Sequence, residues 1–220
     1  MSGSHTLDGR RRRQVACFAW LALLLLAVAA AGGCASESSP GVAGRGSHPS
    51  SGWRLTVYYT PVESYHGGAR EAISGCQGEN LGSHSHDFLA RIQIEGFGRL
   101  SDPVTGRGYL GWDFGRHCWS LAAGPVGASD RPLRSWVSAA AHPSIAIGTR
   151  LVIRYCGSGV DSSVCDHVRA AHWVVDDRCS IGCSNPKHLD LYIGEEDRAN
   201  FEEDNPNYFE ATGATVALNG

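Results

Sequence analysis

One lysine, Lys187, occurs in 220 residues. Beyond residue 33 the chain holds 15 basic against 21 acidic side chains, a formal charge of −6. That leaves no basic stripe for a phosphate backbone and argues against nucleic acid as a partner. No internal repeat is visible, so the chain does not read as a solenoid or a propeller. The cysteine spacings contain no C-x-x-C repeat, and the sequence assigns no metal and no cofactor. The apolar run over residues 15–31 is a little short of the ~20 residues that a spanning helix needs.

What is present begins with that run. Arg10, Arg11, Arg12 and Arg13 precede it and small residues close it, the layout of an export signal over residues 1–34. The segment ends in Ala31-Gly32-Gly33-Cys34, which resembles a bacterial lipobox with Cys34 as the lipidated residue. An ordinary signal peptide cleaved nearby and an uncleaved anchor are the competing readings. Residues 35–52 are rich in Ser, Gly and Pro and read as a flexible tether. Residues 53–220 are long enough for one domain with its own core. The localisation expected is the cell envelope, with the membrane reached through the lipid.

Cys17 leaves with the signal and Cys34 would carry lipid, so six cysteines remain. An even count in an oxidising compartment implies three disulfides among ~15 connectivities. Cys156 and Cys165 flank Gly157-Ser158-Gly159-Val160-Asp161, which reads as a hairpin loop, and are the pair expected. Cys179 and Cys183 pair with each other or reach Cys76 and Cys118.

Residues 55–59 (LTVYY) and 88–94 (FLARIQI) alternate and read as strands. Four more short strands are expected at 136–141, 151–155, 170–175 and 188–193, and a last one at 214–218. The Gly-rich stretch 66–85 reads as a long loop, and 106–130 as irregular loops or a short hairpin. Residues 195–203 form the one helix expected, with Glu195 and Glu196 in its first turn. Many short strands with Gly/Pro loops argue for a mainly β fold built as a small barrel.

Two β-rich runs end in carboxylates: Trp173-Val174-Val175 leads into Asp176-Asp177, and Asp190 lies within His188-Leu189-Asp190-Leu191-Tyr192. An aspartate at the edge of so apolar a run is costly to desolvate and titrates abnormally. Asp177 and Asp190, thirteen positions apart, make an acid/base constellation. The bland alternative is that both cap turns and accept backbone N–H bonds. His84-Ser85-His86-Asp87, and Asp166-His167 with His172, invite a metal. A zinc site, however, needs three convergent ligands with outer support. Trp112 and Trp119 stand in Gly-rich loops and are candidates for stacking on sugar faces.

From residue 136 onward the chain resembles the three-aspartate (3D) domain, the double-psi β-barrel related to membrane-bound lytic murein transglycosylase A. The resemblance rests on Pro143 with Gly148-Thr149, on Asp177 after its apolar strand, and on Asp190 inside the last. Upstream, Phe88 to Gly96 and Gly98-Arg99-Leu100 resemble the run that precedes the barrel in stand-alone members. It implies a six-stranded double-psi barrel with long Gly-rich loops and its core at about 134–220. Three departures are visible. His142 stands where the family has its first aspartate. Arg178 to Cys183 replaces a Gly-Gly pair, and the interval to Asp190 is about two residues longer.

The resemblance implies that Asp190 is acid and then base in cleaving peptidoglycan strands, and that Asp177 raises its pKa by repulsion. The muramic 6-hydroxyl would then attack, giving an anhydro product. Thr149, in the Gly-Thr turn, joins Trp112 and Trp119 as a substrate-binding candidate. Two other functions stay open. One is a wall-binding or structural barrel without chemistry, suggested by His142 and the altered loop after Asp177. The other is a β-glucan hydrolase.

Overall fold

In the computed structural model, residues 48–179 and 183–219 are described. The signal segment 1–34, Cys34 and residues 35–47 of the tether lie outside them. The strands are β1 (Ser50–Thr60), β2 (Arg70–Ser74), β3 (Asn80–Ser85), β4 (Phe97–Val104), β5 (Arg107–Asp113) and β6 (Cys118–Ala122). They continue with β7 (Ser138–Ala141), β8 (Arg150–Tyr155), β9 (Trp173–Arg178), β10 (His188–Glu195) and β11 (Ala211–Asn219). Helices α1 (His86–Glu95), α2 (Ser162–Ala170) and α3 (Phe201–Asp204) complete the described elements, with a 3-10 turn at Glu63–Tyr65. No described helix is long and apolar enough to cross a membrane.

Six strands close into a barrel in the order β1-β10-β7-β9-β8-β11. The β1–β10 and β7–β9 pairs are parallel and the other pairs antiparallel. This is a mainly β fold of the double-psi barrel class. Alternation explains the core: Leu55 and Val57 of β1, Leu189 and Leu191 of β10, and Trp173 and Val175 of β9 all point into it. Four small residues, Ser138-Ala139-Ala140-Ala141, make β7 a strand buried on both faces. The barrel is not confined to 134–220, because β1 supplies its sixth strand and closes it between β10 and β11.

Between β1 and β7 lies a layer with its own small core, formed by hairpin β2–β3, helix α1 and the sheet β4-β5-β6. The Cys76–Cys118 disulfide fastens the hairpin to β6. Glu196 holds this layer to the barrel, its Oε2 accepting from the Val62 amide at 2.9 Å and meeting His66 Nε2 at 2.8 Å. The stretch 66–85, expected as a long loop, is therefore a hairpin, and 106–130, expected as loops or a short hairpin, is strand for much of its length.

Helix content differs from the sequence expectation in three places. Residues 88–94 form α1 instead of a strand: Phe88, Leu89 and Ile92 make a buried stripe at helical spacing. Gly96, at φ 92°, ends the helix where a side chain would be strained. Helix α2 follows directly on the stretch 157–161 that reads as a hairpin loop, burying Val164 and Val168 one turn apart. The Cys156–Cys165 disulfide thus ties the end of β8 to a helix and closes no hairpin. The helix expected at 195–203 shrinks to α3, because Glu195 still belongs to β10 and Glu196 is the buried clamp just described.

Candidate active site

The pleat that sends Leu189 and Leu191 into the core turns His188 and Asp190 to the opposite face. On β1 the same parity exposes Arg54 and Thr56 beside them, in the register Arg54↔His188 and Thr56↔Asp190. Asp190 also pairs with Ala140 of β7, and Ala140 with Asp177 of β9. Thr56, Asp190, Ala140 and Asp177 therefore form one row across four strands. Neighbouring strands lie about 4.8 Å apart, so the two aspartates are on the order of 10 Å apart at their backbones. A register shift between Ala139 and Ala140 decides which of Asp176 and Asp177 joins the row. Asp177 does. Asp176 is buried on the other side, with Ser138 Oγ at 2.9 Å.

This row is the floor of a cleft of about 720 Å³. One wall comes from the inserted layer, with Ile94 and Glu95 at the end of α1, Phe97 of β4, and Trp112 and Phe114. The other wall is the 125–133 loop. Gly127 packs its backbone so close to β9 that an added Cβ would lie 2.3 Å from the Asp176 carbonyl oxygen. The next residue, Ala128, donates its amide to Asp177 Oδ1 at 2.9 Å.

The carboxyls of the cleft differ in their surroundings. Asp190 is desolvated, which pushes its pKa up to about 6. The hydrogen bond from Thr56 Oγ1 to Oδ1, 2.7 Å long, opposes that rise; the charge of Asp177 adds to it and Arg54 subtracts. Asp177 is also raised by burial, but its Oδ1 accepts two amides, from Arg178 at 2.7 Å and from Ala128, and both favour the charged form. The Tyr58 hydroxyl, kept neutral by burial and by both aspartates, reaches Oδ2 at 3.5 Å.

Glu95 is a third carboxyl that the sequence reading missed. Its side chain is 6% exposed, and burial followed by the charge of Asp190 raises it to about 8. The Tyr59 amide, 3.2 Å from Oε2, and Arg91 pull it back only in part. Asp190 ionises first, and its charge then holds the proton on Glu95. The one signal in the sequence was Glu95-Gly96 closing the run that resembles the stand-alone members; with that run taken as a strand, Glu95 had no reason to enter the cleft.

The remaining candidates divide. Trp112 lines the cleft. Trp119 is buried behind it, its ring centroid 4.6 Å from that of Trp112, and supports the wall without facing a ligand. Thr149 is buried outside the cleft, where its carbonyl accepts from the Val175 amide and joins β8 to β9. His142 turns to Ser144 Oγ at 2.8 Å. The histidine groups separate: His84 is buried against Glu63, His86 is exposed, and His167 stacks on Trp136. Two other groups bring possible metal-binding atoms within 4.8 Å, Cys179, Cys183 and His188, and Cys76, Asp113 and Cys118. In both, the cysteines are joined as disulfides and offer no thiolate.

No protein-family model matches the sequence, and no curated protein matches it. Solved structures do. A membrane-bound lytic murein transglycosylase from Agrobacterium tumefaciens is similar with a TM-score of 0.51 at 12% identity, over 79% of this chain and 76% of that one. Escherichia coli MltA with bound chitohexaose gives 0.48 at 14% identity, over 76% and 72%. LtgG, a lytic transglycosylase of Burkholderia pseudomallei, gives 0.40 at 15%, again over 76% and 72%. At these identities the likeness is one of fold, which this chain shares with the Agrobacterium protein over most of its length.

Proposed function

We propose that this protein cleaves the glycan strands of the bacterial cell wall by a lytic-transglycosylase-like reaction in which Asp190 carries the proton. The observation behind this is a protonatable carboxyl on the floor of an open, aromatic-walled cleft, set in a fold shared with a murein transglycosylase. A barrel that only bound glycan would gain nothing from a desolvated carboxyl there. Asp190, protonated, donates to the glycosidic oxygen as the C1–O bond breaks, and the bonding electrons leave with that oxygen. The 6-hydroxyl of the same sugar then closes on C1 and gives its proton to the Asp190 carboxylate. One strand ends in a 1,6-anhydro sugar, the other in a new hydroxyl, and no water is consumed.

Hydrolysis would need a second carboxylate to activate water. Neither neighbour is suited to that. Asp177 gives Oδ1 to two amides and turns Oδ2 to the Tyr58 hydroxyl, and Glu95 holds its proton at neutral pH. Asp177 instead fixes the 125–133 wall and adds a distant charge that favours the protonated form of Asp190. Trp112 offers an apolar face to the sugars. The test is release of soluble fragments from purified murein sacculi: clearing of the suspension supports the reading, and intact sacculi after prolonged incubation with folded protein refute it.

Export and anchoring belong to the same reading. A diacylated Cys34 supplies two chains, enough for stable attachment, and the 15 residues from 35 to the start of β1 at Ser50 span, as a flexible chain, roughly 20–23 Å on average. Cys34→Ser should move the protein from the membrane fraction to the soluble one, or leave its signal uncleaved. A wild-type protein that is wholly soluble, with no added mass on its N-terminal peptide, would rule the anchor out.

A further inference from the structure

Thr56 stands between two groups. Its Oγ1 lies 2.7 Å from Asp190 Oδ1 and 2.8 Å from His188 Nε2. The parallel pairing of β1 and β10 builds this chain: Thr56 is opposite Asp190, and His188 is one pleat back on the same face. His188 is 4% exposed, so its ring is packed and its Nε2 directed. A threonine hydroxyl has a single proton. Given to Oδ1, it leaves the oxygen lone pairs to accept from Nε2–H.

Resting on the reading of Asp190 as the acid/base, we propose that His188 is its positioning residue, acting through Thr56. His188 donates to Thr56 and fixes the direction of the hydroxyl proton onto Oδ1, so that the proton exchanged with the substrate is carried on Oδ2. Without the His188 donor the hydroxyl rotates freely and the carboxyl loses both its orientation and a charge-assisted bond. The other ionisable groups around Asp190 are Arg54 and Tyr58 from β1, Asp177 from β9 and Glu95 from α1. Their contribution is the same in every variant below. Loss of the Thr56 bond makes Asp190 a weaker acid, since that bond favours the charged form.

The experiment follows the ¹³C shift of the Asp190 side-chain carboxyl against pH in the full chain, with circular dichroism to confirm folding. Thr56→Val should move the midpoint upward by about one unit, the size of a lost charge-assisted hydrogen bond. Thr56→Ala replaces it should the valine variant not fold, and Thr56→Ser should titrate like wild type. His188→Leu should move the midpoint in the same direction, and His188→Gln, which keeps a donor, should restore it. Added to Thr56→Val, His188→Leu should do nothing more. A midpoint unmoved by His188→Leu, or one that moves equally with and without Thr56, overturns the proposal. The titration reads Asp190 whether or not glycan is cut. If the midpoints move as stated while sacculi stay intact, the positioning chain stands and the glycan-cleaving reading falls. Where activity is present, His188→Leu should lower kcat with KM little changed.

Discussion

Asp190→Asn is expected to reduce fragment release from sacculi by at least about 100-fold, the lower end of what a positioned acid/base contributes. Asparagine fills the same volume on β10 and still accepts from Thr56 through its oxygen, so the fold has little reason to respond. It cannot donate a proton to a leaving oxygen or take one from a sugar hydroxyl. The melting temperature should stay within a few degrees of wild type. Rates measured beside thermal melts separate the two effects, and wild-type turnover by the asparagine variant would remove Asp190 from the mechanism.

A second large effect concerns stability. Glu95 holds a proton in the folded chain up to pH about 8, whereas in an unfolded chain it ionises near 4.5. Between those values the folded state binds the extra proton, so stability falls as pH rises. The Glu95 contribution is fully present below pH about 4.5 and is lost through pH about 8. At about 1.4 kcal/mol per pKa unit, the interval corresponds to on the order of 5 kcal/mol. Asp190, raised to about 6, adds to the same slope at lower pH. Glu95→Gln mimics the protonated side chain and keeps the acceptor for the Tyr59 amide. It should flatten this dependence and make the protein more stable than wild type at pH 8.5, but not at pH 4. Urea unfolding at the two values checks this, and equal stability of both proteins at pH 8.5 would show that Glu95 is solvated in the folded chain.

The barrel strands were legible because their alternation is local: Leu55 and Val57, or Leu189 and Leu191, announce a half-buried strand without knowledge of the partner. Helix α1 was not. Phe88, Leu89, Ile92 and Ile94 fit either period over so short a run, and what decides is Gly96 and the core offered by Leu100, Leu110 and Trp119. As a helix the segment leaves Ile94 55% exposed at the cleft. Helix α2 shows only Val164 and Val168 as buried apolar residues, too few to stand out between two cysteines.

The site was legible to the same degree. Asp177 and Asp190 stood out as carboxylates against apolar strands, and Trp112 as an aromatic in a Gly-rich stretch. Thr56 and His188 carried no signal, being 132 positions apart and joined only by the register of a parallel pair. Thr149 misled because its value lies in strand pairing. The choice between Asp176 and Asp177 depended on one shifted residue in β9, which no pattern of hydrophobicity reports.

The most direct test of the account is the chemistry of the ends that the protein makes. Murein sacculi digested by the full chain, and in parallel by the Asp190→Asn variant, are resolved by mass spectrometry. Fragments ending in 1,6-anhydro sugars, lighter than hydrolytic products by the mass of one water, are expected from wild type and none from the variant. Reducing ends carrying the mass of an added water would show that a base activates water in this cleft, and would contradict the account.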